Sequence, residues 1–239
     1  MRQMLHRARR QGRPSPLSNA ATTGAHTSVD LQLVLAVDVS GSIDAEEAAL
    51  QRRGYLDALT SRRVIRAIEA GPLGRISLTY VEWGDREHQR VVVGWRLISG
   101  RASALAAADE IAGAGRQVWL NTSISGAIDF SVRLFDRSGF ESPRRIIDIS
   151  GDGHSNDGRE APAARDDAIA AGVTINGLPI LDDRVVPGGL DRYYAEEVIG
   201  GPGAFQVVAN DFADFGRAIQ TKLALEVAGL TPQLASRLP

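Results

Sequence analysis

Asp38, Ser40 and Ser42 stand at alternate positions in the run Asp38-Val39-Ser40-Gly41-Ser42, and the side chains they offer carry oxygen. Thr122 and Asp152 add two more oxygen donors from loops far along the chain. Carboxylate mixed with hydroxyl is a donor set for a hard cation. Mg2+ takes such oxygens in octahedral geometry at about 2.1 Å and keeps several waters, and Mn2+ is the alternative ion. No cysteine occurs among the 239 residues. That excludes disulfides, thiolate metal sites and cysteine nucleophiles, so any metal here is held by oxygen or histidine.

For these residues to meet, the chain must bring three loops to one place. Residues 31–38, Leu-Gln-Leu-Val-Leu-Ala-Val-Asp, are nearly all apolar, as in a strand buried on both faces of a parallel sheet. Gly41 lets the backbone turn, and Asp44 with Glu47 makes an acidic capping-box start for a helix over residues 44–70, with Arg52 and Arg53 turned outward. Strands are expected at 76–83 and 90–98, antiparallel because their connection is short. A helix follows at 101–114, then a loop through Asn121-Thr122-Ser123, then a helix with Ile124, Ile128, Val132 and Phe135 on one face. Further strands are expected at 145–150 and 173–180 around a helix at 160–171. An irregular loop with Pro187-Gly188-Gly189, a short helix near 193–198, an edge strand at 204–208 and a last helix that Gly229 caps complete the series. Strands alternating with helices predict an α/β fold: a doubly wound, mostly parallel sheet with one antiparallel edge strand and helices on both faces, Rossmann-like in layout. In such a sheet the carboxyl ends of the strands converge on one edge, where Asp38, Thr122 and Asp152 all fall.

Residues 1–28 hold five arginines and no acidic residue, and nothing apolar recurs in them. They read as a disordered basic extension, leaving a domain at 29–229 and a tail at 230–239. A net charge of -2 with mixed signs gives no basic groove, so no nucleic-acid partner is expected. With no signal peptide or membrane segment as written, the chain reads as cytoplasmic without membrane insertion, and as extracytoplasmic if its start is misassigned.

The Asp-x-Ser-x-Ser run after a buried strand, with Thr122 and Asp152, resembles the metal-ion-dependent adhesion site of von Willebrand factor A domains. The runs 79–83, 175–180 and 199–205 resemble an uncharacterised bacterial family of such domains. The resemblance implies that Ser40, Ser42 and Thr122 coordinate a Mg2+ ion through their hydroxyls, while Asp38 and Asp152 act mainly through bound water. It implies no enzyme but a protein-binding module, whose ion captures a carboxylate from a protein partner. Gly151 departs from the wider family, in which many relatives carry threonine directly before the aspartate, and glycine there leaves the loop freer.

Plainer readings stand beside this one. Asp38, Ser42 and Thr122 are each of a type that caps helices. Asp148 reads as a satisfied structural carboxylate, Trp83 as core or rim with Glu82, and His154 and Asn156 as loop residues. A haloacid dehalogenase type of phosphohydrolase also starts from an aspartate after the first strand, but it needs a second carboxylate where this chain has Ser40. A structural domain with an unused site is the third reading.

Overall fold

In the computed structural model the described residues are 26–182 and 188–236. The basic extension up to residue 25, Pro187 and the last three residues of the tail lie outside them. The chain enters the fold at β1 (Thr27–Ser28) and runs into β2 (Gln32–Asp38), every residue of which is buried. Two helices, α1 (Ala45–Thr60) and α2 (Arg62–Glu69), lead to β3 (Ile76–Trp83) and β4 (Gln89–Ile98). After α3 (Arg101–Gly113) and α4 (Ile124–Phe135), the short β5 (Phe140–Glu141) pairs in parallel with β1. Next come β6 (Arg145–Gly151), α5 (Ala161–Ala170), β7 (Thr174–Pro179), α6 (Leu190–Tyr193), a π-helical turn (Tyr194–Val198), α7 (Phe215–Ala228) and α8 (Pro232–Ala235).

The main sheet has the order β4-β3-β2-β6-β7, parallel except for β4, which runs antiparallel to β3 at the edge. This is the expected doubly wound architecture. Successive side chains of β2 point to opposite faces. Leu33, Leu35 and Val37 join a core under α1, α2, α3 and α7, while Val34 and Ala36 join another under α4 and α5. Val37 is level with Ser150 and Asp38 with Trp83, so β2 and β6 end at the same edge. Among the described residues no helix is long and apolar enough to cross a membrane.

Local departures from the sequence reading have local causes. The helix expected at 44–70 is two helices, because Ser61 is extended (φ -66°, ψ 145°) and its side chain accepts from Val64 N as a new cap. Arg52 is not turned outward: its guanidinium pairs with the buried Glu82 carboxylate at 2.9 Å, and Arg90 reaches the same group at 2.6 Å. Residues 204–208 form no strand. They contribute one isolated bridge, Gly177 to Gln206. Gly229 caps α7 as expected, with φ 69°.

Between β6, β7 and α7 lies one charged cluster, sealed from water. Lys222 Nζ is 2.6 Å from Asp148 Oδ1 and also pairs with Glu226, and none of the three is more than 1% exposed. Asn176 donates to Glu226 Oε1 at 2.8 Å and accepts from Phe205 N at 3.0 Å. Asp148 is thus held by an ion pair to Lys222, and among the described residues neither of its oxygens has a hydrogen bond beyond that pair.

Candidate metal site

At the carboxyl edge of the sheet, β2 ends in Asp38 and the chain passes directly into the oxygen-rich turn. Asp38 is fully buried, and its Oδ1 accepts from Ser40 N at 2.7 Å. Ser40 Oγ lies 3.3 Å from Ser42 Oγ. Ser42 Oγ in turn donates to Asp152 Oδ1 at 2.9 Å, joining the β2 turn to the loop that follows β6. Four of the five candidate residues therefore form one contiguous hydrogen-bonded chain. Thr122 belongs to a third loop held against the second: its N–H donates to Asn156 Oδ1 at 2.9 Å and its carbonyl accepts from Asn156 N at 2.8 Å. Its hydroxyl lies 4.0 Å from where a Cβ on Gly153, next to Asp152, would stand.

The helix caps are filled by other residues. Asp44 caps α1, accepting from Glu46 N and Glu47 N while Glu47 accepts from Asp44 N, and Ser123 caps α4 by accepting from Gly126 N. Asp38, Ser42 and Thr122 are thus not occupied in capping. Asn156, read from its type as an exposed loop residue beside Asp152, pins the Thr122 loop together with Ser155 and Asp157. Trp83 is fully buried core, and Glu82 is neutralised by its two arginines rather than lining the rim.

What remains is an electrostatic imbalance. Asp38 Oδ2 and Asp152 Oδ2 are both buried and without a hydrogen-bond partner among the described residues. Burial, and then the facing Asp152 carboxylate, push the Asp38 acid well above its usual range. Burial also raises Asp152 to about 6, against the opposing pull of the Ser42 hydrogen bond. Unpaired buried carboxylates are costly, and a cation between them removes both the repulsion and the missing contacts. Among the described residues no three His, Asp or Glu side chains gather into a metal cluster of the charged kind. The oxygens gathered or approached here belong to two carboxylates and three neutral hydroxyls, the kind of donor that a hard divalent ion takes.

Gly151 plays a different part from the one expected. It closes β6 rather than loosening a loop, and a Cβ there would stand 2.7 Å from Asp38 Oδ2. Space, not freedom of the backbone, explains the glycine.

A family model described as Protein of unknown function (DUF1194) matches residues 28–231. No curated protein matches the sequence. Among solved structures the chain is similar to proximal thread matrix protein 1 from the mussel byssus, with 14% identity and a TM-score of 0.63 over 85% of this chain and 49% of that one. Another structure of the mussel protein, with a zinc occupied MIDAS motif, aligns at 14% identity and a TM-score of 0.56, covering 85% and 47% of the two chains. A von Willebrand factor type A from Catenulispora acidiphila aligns at 16% identity and a TM-score of 0.55, covering 84% and 43%. The chain spans about half the length of these proteins or less. At such identities the likeness is one of fold.

Proposed function

Because the chain belongs to the DUF1194 family and has the von Willebrand A fold, we propose that it is a divalent-metal-dependent protein-binding module that captures an acidic side chain of a partner. Ser40, Ser42 and Thr122 would hold the ion through their hydroxyls, with Asp38 and Asp152 anchoring it through bound water. The observation that carries the reading is the pair of buried carboxylate oxygens, Asp38 Oδ2 and Asp152 Oδ2, that have no hydrogen-bond partner among the described residues. A zinc occupied MIDAS motif in the mussel protein of like fold supports a divalent ion in this kind of site. Mg2+ is the ion proposed here, with Mn2+ as its substitute, because every proposed donor is a hard oxygen.

Neutral hydroxyls take little of the ion's charge, so it retains its pull on an incoming carboxylate. Ser42 is exposed at the surface while Asp38 is sealed beneath it, which leaves the approach on the solvent side. Leu120, on the loop that carries Thr122, is 88% exposed beside this approach and offers an apolar contact to whatever docks.

The experiment is a partner captured in Mg2+ and released by chelator, whose aspartates and glutamates are then changed singly to the matching amides. At least one such change is expected to remove the Mg2+-dependent binding. If every amide variant binds like the original, carboxylate capture is wrong. Thr122→Ala is expected to weaken partner binding by tenfold or more while leaving the melting temperature in chelator unchanged, since Thr122 is fixed through its backbone and not its hydroxyl. Equal loss of both would make Thr122 a structural residue. The phosphohydrolase reading places a general acid where buried Ser40 stands. Turnover in a phosphatase screen, lost in Asp38→Ala, would favour it.

A further inference from the structure

Nothing in the sequence singles out Tyr194. It opens the π-helical turn, which Ile199 N closes by donating to Tyr194 O at 2.9 Å. Its side chain is completely buried and its hydroxyl has no hydrogen-bond partner among the described residues. A donor in that state costs folding free energy that phenylalanine would avoid, and π turns recur where a protein places a functional side chain.

Two glycines make the trough in which the ring lies. On β7, a Cβ added to Gly177 would stand 2.8 Å from Tyr194 Cδ1. On β6, a Cβ added to Gly151 would stand 3.0 Å from the Tyr194 hydroxyl and 2.7 Å from Asp38 Oδ2. The space over Gly151 is therefore bounded by two atoms that each lack a partner, one a donor and the other an acceptor.

We propose that Tyr194 is a positioning residue of the metal site: its hydroxyl, not bonded to Asp38 Oδ2 in this structure, takes up that oxygen across Gly151 when an ion draws the carboxylate into place. The inference rests on the metal reading above and concerns how this chain holds its own ligand in place. A metal ligand is oriented by the group that binds its far side, and loss of that group commonly weakens metal affinity about 10–100-fold.

Tyr194→Phe removes one oxygen and keeps the ring. Mn2+ is the probe, titrated calorimetrically into the full chain, with urea unfolding measured in chelator and in saturating Mn2+. The expected result is a Mn2+ dissociation constant weakened 10–100-fold, with stability in chelator equal to or above that of the wild type. Gly151→Ala, which inserts a methyl group between the two atoms, is expected to weaken Mn2+ at least as much. A packing role alone would lower stability equally with and without Mn2+, and that outcome overturns the proposal. Unchanged Mn2+ affinity in Tyr194→Phe also overturns it while leaving the metal site intact. Absence of Mn2+ binding by the wild type removes the metal reading and this inference together.

Discussion

Lys222→Met is expected to lower folding stability by about 3–5 kcal/mol, a large part of the 5–15 kcal/mol typical of a domain. The ammonium faces two carboxylates, Asp148 on β6 and Glu226 one turn further along α7, in a place no water reaches. Its removal leaves two buried acids, of which Glu226 keeps the Asn176 amide as a donor. Methionine fills the volume, so the loss reports charge and not a cavity. Adding Glu226→Gln to the same variant should recover part of the loss, because one of the two stranded charges goes with it. Urea denaturation measures both. A loss below about 1 kcal/mol for the single variant would mean that the lysine does not compensate these carboxylates.

The same cluster sets a pH dependence. Burial, and then the neighbouring Glu226, hold the Asp148 acid up at about 7 against the pull of Lys222. A carboxyl raised in the folded state keeps a proton that the unfolded chain gives up near pH 4. Its contribution to stability is therefore complete below about pH 4 and lost as the pH rises through about 7. In chelator, the protein should melt at a higher temperature near pH 5 than near pH 8, and Asp148→Asn should flatten that slope. An unaltered slope in the variant would place the effect elsewhere.

The second large effect concerns the metal. Mg2+ at about 100 times its dissociation constant is expected to add roughly 2.7 kcal/mol of stability to the wild type, and Asp38→Ala to abolish the gain. In chelator the same substitution should do little harm, because it removes one of two buried carboxylates that repel each other. The double result separates a ligand from a structural residue. An equal Mg2+ response in wild type and variant would remove the site from this position.

Much of this architecture could be read from residue order, and the reasons differ by element. β2 was legible because an apolar run ends in a sharply different, oxygen-rich turn. The turn at Ser61 was not, since apolar spacing continues across it and one serine changes the backbone. Residues 204–208 have strand-like side chains, but Gly201 and Gly203 on their approach take positive φ (98° and 71°) and only single bridges form. Asp38, Ser40 and Ser42 share a local spacing, so they could be found together. Asp148 and Lys222 have no such local relation, and Tyr194 meets Asp38 only through the stacking of elements that periodicity does not rank. Gly151 shows the same limit: its residue type was visible, while the atom it makes room for came from the other end of the chain.

The pairing of β2 with β6 also has a temporal consequence. Gln32 bonds level with Arg145, so more than a hundred residues separate the two partners. At translation rates of about 5–20 residues per second, the nascent chain spends roughly 5–20 s with the most apolar strand of the protein synthesised and one of its edges still without a neighbour. Exposed strand edges recruit other chains. Ribosome-bound chains ending before Arg145 are therefore the species in which β2 itself has most to protect, and once Gly151 has emerged the open edge passes to β6 until β7 pairs with it.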